Sequence, residues 1–169
     1  MIKITAIIFL ALGFSLSGYC LSSVYAKRVE ILGDIVMMLE IIQTQLRYAR
    51  LPLSSLLTLL ENEKKTGLVF VSVCGKLMRS GKTFPDSWRM SIENDRNLCS
   101  MLRGVLPHLI RFGESLGTTD LEGQLSCCEY YEHIFRKELE EKEEQSRKYS
   151  GLFPTLGIML GVSAAIIFV

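Results

Sequence analysis

The residues of this sequence that could take part in catalysis or bind a metal are two histidines, five cysteines and a short acidic stretch. His108 and His133 stand 25 positions apart, and neither has a carboxylate or thiol at ligand spacing. Adjacent Cys127 and Cys128 would point about 100° apart on a helix, so they cannot form one side of a zinc site as a Cys-x-x-Cys pair does. The sequence therefore predicts no catalytic residue, no metal ligand and no cofactor-binding residue.

Sequence motifs and charge also argue against an enzyme or a nucleic-acid-binding protein. The sequence lacks the common dinucleotide, P-loop, zinc-protease and serine-hydrolase motifs. A metal site at Glu93-Asn94-Asp95 is a weaker interpretation than a solvated helix end. Positions 27–148 carry 18 basic and 18 acidic groups, without the basic excess that a nucleic-acid surface requires. We therefore predict a non-enzymatic protein, with Cys74, Cys99 and Cys128 filling its core.

Two uncharged segments enclose the region that holds nearly all the charge. Between Lys3 and Lys27 lie 23 uncharged residues, which would form roughly 34 Å of helix, enough for a hydrocarbon core of about 30 Å. Positions 149–169 are likewise uncharged. The sequence predicts transmembrane helices at 1–26 and 149–169, with one domain at 27–148 between them.

The orientation follows from the basic residues that flank the uncharged segments. Lys27 and Arg28 follow the first segment, and Arg147 and Lys148 precede the second. The positive-inside rule places the middle domain in the cytoplasm. The alternative is a cleavable signal peptide ending near residue 26, which would leave an exported helical adaptor module tethered by its C-terminal span.

Apolar spacing predicts an all-α domain of six helices, because no segment shows sustained two-residue alternation. Thr83-Phe84-Pro85-Asp86 predicts the start of the fourth helix, Asn94–Asn97 a polar break, and Thr119 to Glu122 a capping box. The predicted inner positions of the first three helices are Ile31, Ile35, Met38, Ile42, Leu46 and Ala49 in the first, Leu53, Leu56, Leu57 and Leu60 in the second, and Val69, Phe70, Val73 and Leu77 in the third. Those of the last three are Trp88 and Ile92 in the fourth, Leu98, Leu102, Leu106, Leu109, Phe112 and Leu116 in the fifth, and Leu121, Leu125, Cys128, Phe135 and Leu139 in the sixth. The fifth helix is expected to bend at Pro107.

Small residues in the two uncharged segments indicate where another helix could approach closely. Gly157 and Gly161 form a G-x-x-x-G pattern, which Ala165 continues. We predict that this stripe packs against the first span through Gly13 and Ser17.

Three segments resemble the helical domain of type II secretion and type IV pilus platform proteins. They are Arg50–Leu53, Arg79–Phe84 and Phe112–Gly117. The last contains a Gly-Glu-x-x-Gly element, which is the most specific part together with the long helix after it and Phe153-Pro154. Those platform proteins usually carry two copies of the domain and three spans, whereas this sequence has one copy between two predicted spans.

The single-copy layout and the segment Leu116–Gln124 resemble the stage III sporulation protein AB family, and the resemblance runs the whole length. It implies a place in the mother-cell membrane surrounding the forespore, within a secretion-like channel that joins the two cells. It also implies partners: an ATPase similar to stage III sporulation protein AA that docks on the cytoplasmic domain, other channel subunits and membrane lipid. The single domain copy leaves open whether a homo-oligomer replaces the second one.

Candidate partner-binding residues are the cations at the ends of the first and third helices. These are Arg47, Arg50, Arg79 and Lys82. Glu114 of the Gly-Glu-x-x-Gly element has two interpretations. It is either a partner or metal contact, or a residue that faces solvent or hydrogen-bonds to the start of the next helix. In the second, simpler interpretation Gly113 relieves crowding and Gly117 is a left-handed helix cap.

Overall fold

Every regular element that the computed structural model describes is helical. Backbone is described for residues 2–49, 52–62 and 67–168, and side chains for 23–49, 52–62, 67–148 and Met159. Within these ranges there are seven α-helices, one short π-helix and no strand. They are α1 Ile2–Thr44, the π-helix Gln45–Ala49, α2 Leu53–Asn62, α3 Val69–Arg79, α4 Phe84–Asn94, α5 Arg96–Met101, α6 Leu106–Ser115 and α7 Leu121–Phe168. The all-α prediction is confirmed.

The chain divides into two compact units. One comprises Met1–Val29 and Glu140–Val169, and the other, here called the helical unit, is Glu30–Leu139. Within the described residues, no helix combines the length and apolar character that crossing a membrane requires. Most side chains of the predicted spans 1–26 and 149–169 lie outside the described residues. The same holds for Gly13, Ser17, Gly157, Gly161 and Ala165, whose predicted packing stays a prediction.

The core of the helical unit is centred on Trp88 of α4, which is fully buried. The Trp88 indole lies edge-on to Phe70 of α3, with ring centroids 5.2 Å apart, and to Phe112 of α6 at 6.0 Å. Its Nε1 donates a hydrogen bond to the carbonyl of Leu109, 2.9 Å away. Because the indole has its polar atom satisfied, its whole surface can be buried at no hydrogen-bonding cost.

Most of the predicted inner positions of α1, α2, α4 and α7 are buried or half-buried, and three expectations are corrected. The predicted fifth helix is two helices, because Leu102–Val105 forms a turn and Pro107 occupies the first turn of α6. Ala49 is exposed because it lies in the π-helix, whose different periodicity breaks the α-helical pattern. Val69 is 67% exposed, and α3 instead turns Phe70, Val71, Cys74 and Gly75 inward.

Carboxylates and hydroxyls at the helix starts determine where α4, α5 and α7 begin. Thr83 caps α4, as predicted, and its Oγ1 accepts a hydrogen bond from the amide of Asp86. The predicted break after α4 is a single residue, Asp95, whose side chain caps α5. The predicted capping box on α7 is wrong, since Asp120 and not Thr119 is the cap, accepting from the amide of Gly123 at 3.1 Å. An ionised carboxylate is at least as good a helix cap as a threonine hydroxyl.

Candidate partner-binding site

Arg79 at the end of α3 is held by an ion pair with Glu61 of α2. Its two terminal nitrogens lie 3.1 and 3.2 Å from the two oxygens of the Glu61 carboxylate. This hydrogen-bonded pairing raises the pKa of the Arg79 guanidinium above its ordinary value. The carboxylate also lies over Gly75, where a Cβ would stand 1.9 Å from Glu61 Oε1. The positive charge of Arg79 is therefore compensated within the unit, although the side chain is exposed.

Arg47 and Lys82 do not join Arg79 in one cluster. Arg47, in the π-helix, lies 3.3 Å from Glu129 of α7, and Lys82 points its ammonium at the sulfur of Met90, 3.1 Å away. Arg50 lies outside the described residues. The contacts of Arg47, Arg79 and Lys82 thus run to three different helices. The role of the four predicted cations in partner binding stays a prediction.

The Gly-Glu-x-x-Gly element has a structural explanation at each of its three defined positions. Gly113 packs against the Trp88 indole, so the prediction that it relieves crowding is confirmed. Glu114 forms an ion pair with Arg89 of α4. This differs from both forms of the simpler interpretation, a solvent-facing residue and a hydrogen bond to the start of the next helix. Gly117 has φ +83°, a left-handed conformation that favours glycine, as predicted for a helix cap.

Polar side chains join α1 to α7 in a ladder that sequence reasoning missed. Glu132 accepts from Gln43 at 2.7 Å and from Arg136 at 2.6 Å, and Arg136 also donates to Glu40 at 2.7 Å. These two hydrogen bonds raise the pKa of Arg136. The residue numbers of the interhelical pairs, including Arg47 with Glu129, add up to 175 or 176, so the two helices are antiparallel. A usable signal was present, because polar residues at steps of three and four occur in both helices at positions 40, 43, 47 and 129, 132, 136.

The seam between α6 and α7 contains a second group of polar and aromatic side chains. Tyr131 of α7 contacts Phe112 with ring centroids 5.7 Å apart, and the centroid of the His108 ring lies 6.5 Å from that of Tyr131. Burial raises the pKa of the Tyr131 hydroxyl, and the nearby Arg111 guanidinium opposes that rise. Ser115 Oγ and Cys127 Sγ are 2.9 Å apart at the end of the same seam.

The buried thiols are positioned as packing groups and not as nucleophiles. Burial raises the pKa of Cys74 and of Cys128 to about 12, so neither forms a useful fraction of thiolate near neutral pH. Both are fully buried, as predicted for core residues, whereas Cys99 is only half-buried. Among the described side chains, no group of three or more His, Cys, Asp or Glu could hold a metal ion.

One shallow groove of about 390 Å³ runs between α1 and α2. Its lining combines the apolar residues Met37, Ile41 and Leu59 with polar ones from the same stretch of α1 and the π-helix. Glu40 contributes the one charged side chain of the lining, and it is paired with Arg136. The groove is open and half of its six lining residues are apolar, unlike the enclosed, mostly apolar pockets that bind small ligands.

The described structure therefore defines an all-helical protein whose terminal helices are its longest and in which several exposed side chains form ion pairs between helices. The family model for stage III sporulation protein AB matches residues 3–169, and the chain belongs to that family. It is thus a protein of the third stage of sporulation. Searches among curated proteins and among solved structures returned no match.

Proposed function

We propose that this protein is a membrane-anchored platform subunit of a secretion-like channel between mother cell and forespore, and that its helical unit docks a cytoplasmic ATPase. In this proposal, segments 1–26 and 149–169 span the mother-cell membrane around the forespore, and residues 27–148 lie in the cytoplasm. The protein contributes binding surfaces and no catalysis. The family membership supports the sporulation role, and the resemblance of Arg79–Phe84 and Phe112–Gly117 to platform proteins supports the docking role.

The observation that carries the proposal is the antiparallel pairing of α1 with α7 inside the helical unit. Because Glu40 pairs with Arg136 and Arg47 with Glu129, the start of the unit at Glu30 and its end at Leu139 lie at the same end of the helix pair. The helix α1 begins at Ile2, before Glu30, and α7 ends at Phe168, after Leu139. A domain carried by two spans of one membrane requires this arrangement, since both connections must reach the same surface.

Co-purification is the direct test of the docking function. The full-length chain in mild detergent should retain an ATPase similar to stage III sporulation protein AA, and the retained amount should depend on nucleotide. An unrelated two-span membrane protein in the same detergent serves as the control. Equal retention by both baits, with or without nucleotide, would count against a docking role.

Topology separates this proposal from the exported adaptor. Asn62 is exposed at the end of α2, so an Asn62→Cys variant offers a thiol for labelling. If the domain is cytoplasmic, a membrane-impermeant maleimide should label that thiol only after the cells are opened. Labelling of intact cells would place the domain outside and favour the tethered adaptor.

A further inference from the structure

Four cations stand where the charged region of the chain meets its two uncharged segments. Lys27 and Arg28 lie in α1, and Arg147 and Lys148 lie in α7. All four belong to the one compact unit that the two ends of the chain form. Three of them are exposed, and Arg28 is half-buried. We call these four residues the basic collar.

The order of residue types around the collar is reversed between the two helices. Tyr25 comes before the two cations of α1, whereas Tyr149 comes after the two cations of α7. The residue numbers of Lys27 and Lys148 add up to 175, as do those of the other two cations, and those of the tyrosines add up to 174. These values match the 175 or 176 of the pairs that join α1 to α7 in the helical unit. If the antiparallel register continues, the four cations share one level of the helix pair.

Arg28 is oriented by an aromatic ring and still has hydrogen-bonding capacity. Its guanidinium carbon lies 5.9 Å from the centroid of the Tyr25 ring, which is a cation–π contact. Its Nε is buried and donates to no described residue. A buried donor without an acceptor costs free energy. Because the side chain as a whole is only half-buried, a small rotation would let an anion supply the missing acceptor.

The nearest acids lie farther from the uncharged segments than the cations do. Glu30 follows Arg28 by two positions, and Glu143 and Glu144 precede Arg147 by four and three. These exposed carboxylates compensate part of the charge of the collar from the side of the helical unit. The uncharged segments themselves contain no acid. An anion that approaches from their side therefore meets four cations and no carboxylate.

We propose that the basic collar binds the phosphate group of an anionic phospholipid at the cytoplasmic surface of the membrane, with Arg28 and Lys148 as direct contacts. The inference rests on the proposed function in one respect, that the uncharged segments span the membrane and so bring the collar to the level of the headgroups. Four or more Lys or Arg residues directly beside a span are typical of segments that bind anionic lipid. Tyrosine is typical of the same interface, as at Tyr25 and Tyr149.

A lipid headgroup fits the collar better than an acidic protein segment or free phosphate does. An acidic segment that approached from the helical unit would meet like charge at Glu30, Glu143 and Glu144. Free phosphate would be held by the cations alone. The acyl chains of a phospholipid would also pack against the uncharged segments, whose side chains are mostly apolar, and would hold the phosphate beside the cations.

The first test measures whether the full-length chain, reconstituted in phosphatidylcholine membranes, prefers spin-labelled phosphatidylglycerol to spin-labelled phosphatidylcholine. Electron paramagnetic resonance reports the fraction of each labelled lipid that the protein immobilises. The parent chain should prefer phosphatidylglycerol severalfold. The double variant Arg28→Gln/Lys148→Gln should lower that preference about fivefold, which corresponds to about 1 kcal/mol. Lys148→Gln alone should give about half of this free-energy change, and because Lys148 is exposed, its replacement leaves the fold intact.

Lys76→Gln is the matched control, because Lys76 is an exposed cation of α3, in the helical unit and outside the collar. It should leave the preference for phosphatidylglycerol unchanged. An equal loss of preference in Lys76→Gln and in the double variant, or no loss in the double variant, would overturn the proposal.

The same spectra separate this inference from the proposed function. A chain that immobilises neither lipid does not span the membrane, and both proposals fail. A chain that immobilises both lipids equally does span it, and the collar inference alone fails. If the parent chain prefers phosphatidylglycerol but retains no ATPase, the docking function fails and the collar inference stands.

Added salt separates lipid from free phosphate as the ligand. Inorganic phosphate and sodium chloride of equal ionic strength should weaken the preference for phosphatidylglycerol equally, because both act by screening. A larger effect of phosphate would show that the collar binds the free ion and would overturn the assignment to lipid.

Discussion

The backbone of Gly113 lies directly against the indole of Trp88, so that a Cβ at position 113 would stand 2.1 Å from Cδ1 of the ring. The indole cannot move aside, because it is fully buried and hydrogen-bonded to the carbonyl of Leu109. The glycine therefore sets how closely α6 approaches α4. The next residue, Glu114, joins the same two helices through Arg89. The Gly-Glu-x-x-Gly element thus serves the packing of these two helices, whatever else it does.

We expect Gly113→Ala to destabilise the protein. Overpacking a rigid core typically costs about 1–3 kcal/mol, and breaking the Trp88 hydrogen bond would add about 1 kcal/mol. These costs outweigh the gain of up to about 1 kcal/mol from replacing a helical glycine by alanine. Chemical denaturation of the full-length chain in detergent measures the change.

Gly33→Ala in α1 is the matched control for this experiment. A Cβ at Gly33 would meet nothing within 4 Å, so only the helix propensity changes. The variant should be neutral or stabilised by about 0.5–1 kcal/mol. If both variants shifted the unfolding curve in the same direction, the close contact with Trp88 would not be what constrains position 113.

The sequence predicted the helices and most buried positions well, because an apolar face repeats at steps of three and four whatever it packs against. It failed where the outcome depends on tertiary neighbours. The inner face of α3 is rotated, because it turns Val71, Cys74 and Gly75 inward beside the predicted Phe70. No pattern within α3 shows which neighbouring side chains that face meets. The division between α5 and α6 was missed because the apolar spacing continues through Leu102, although the backbone there leaves the helix.

Predicting the candidate site was harder than predicting the fold, since exposure and availability are separate properties. Arg47 and Arg79 are exposed, as their positions at helix ends suggest, yet both are engaged by carboxylates on other helices. A sequence shows the charge of a side chain but not its partner.

We expect the antiparallel register of α1 and α7 to continue into the uncharged segments. In the helical unit the paired residue numbers add up to 175 or 176, and those of Gly13 with Gly161 and of Ser17 with Gly157 add up to 174. In a background without native cysteines, the pair Gly13→Cys and Gly161→Cys should form a disulfide in membranes. Gly13→Cys with Phe168→Cys keeps the helix face but shifts the pair by about two turns. This second pair should not form a disulfide. Equal disulfide yields from the two pairs would exclude the predicted register.

The free energy of unfolding should fall as the pH rises from 9 toward 12. Cys74 and Cys128 have pKa values near 12 in the folded protein against 9.0 ordinarily. Since the unfolded chain releases these protons first, the stability they contribute is complete below pH 9 and is lost above it. Each thiol changes stability by up to about 1.4 kcal/mol per pH unit in this window.

Denaturation of the Cys74→Ala/Cys128→Ala chain at pH 8 and pH 10.5 isolates this effect from the titration of other groups. The double variant should be less stable than the parent at pH 8, because it loses buried volume, and should lose less stability between the two pH values. Parallel losses in parent and variant would contradict the shifted pKa values.

Charge reversal on the surface and truncation in the core should separate binding from folding. Lys82→Glu should leave the melting curve nearly unchanged, because Lys82 is exposed and substitutions of exposed side chains usually stay within about 0.5 kcal/mol. The sequence predicts the same for Arg50→Glu. Leu109→Ala should cost about 2–5 kcal/mol, since that side chain is fully buried. Leu106→Ala should cost less, because Leu106 is only partly buried.

Retention of the ATPase, measured on each variant beside its melting curve, assigns the docking surface. Loss with Arg50→Glu or Lys82→Glu would identify the cationic helix ends as the docking surface. If every folded charge-reversal variant retained the ATPase as well as the parent, the cationic helix ends would not be the docking site, and the docking role would be left with the family resemblance as its support.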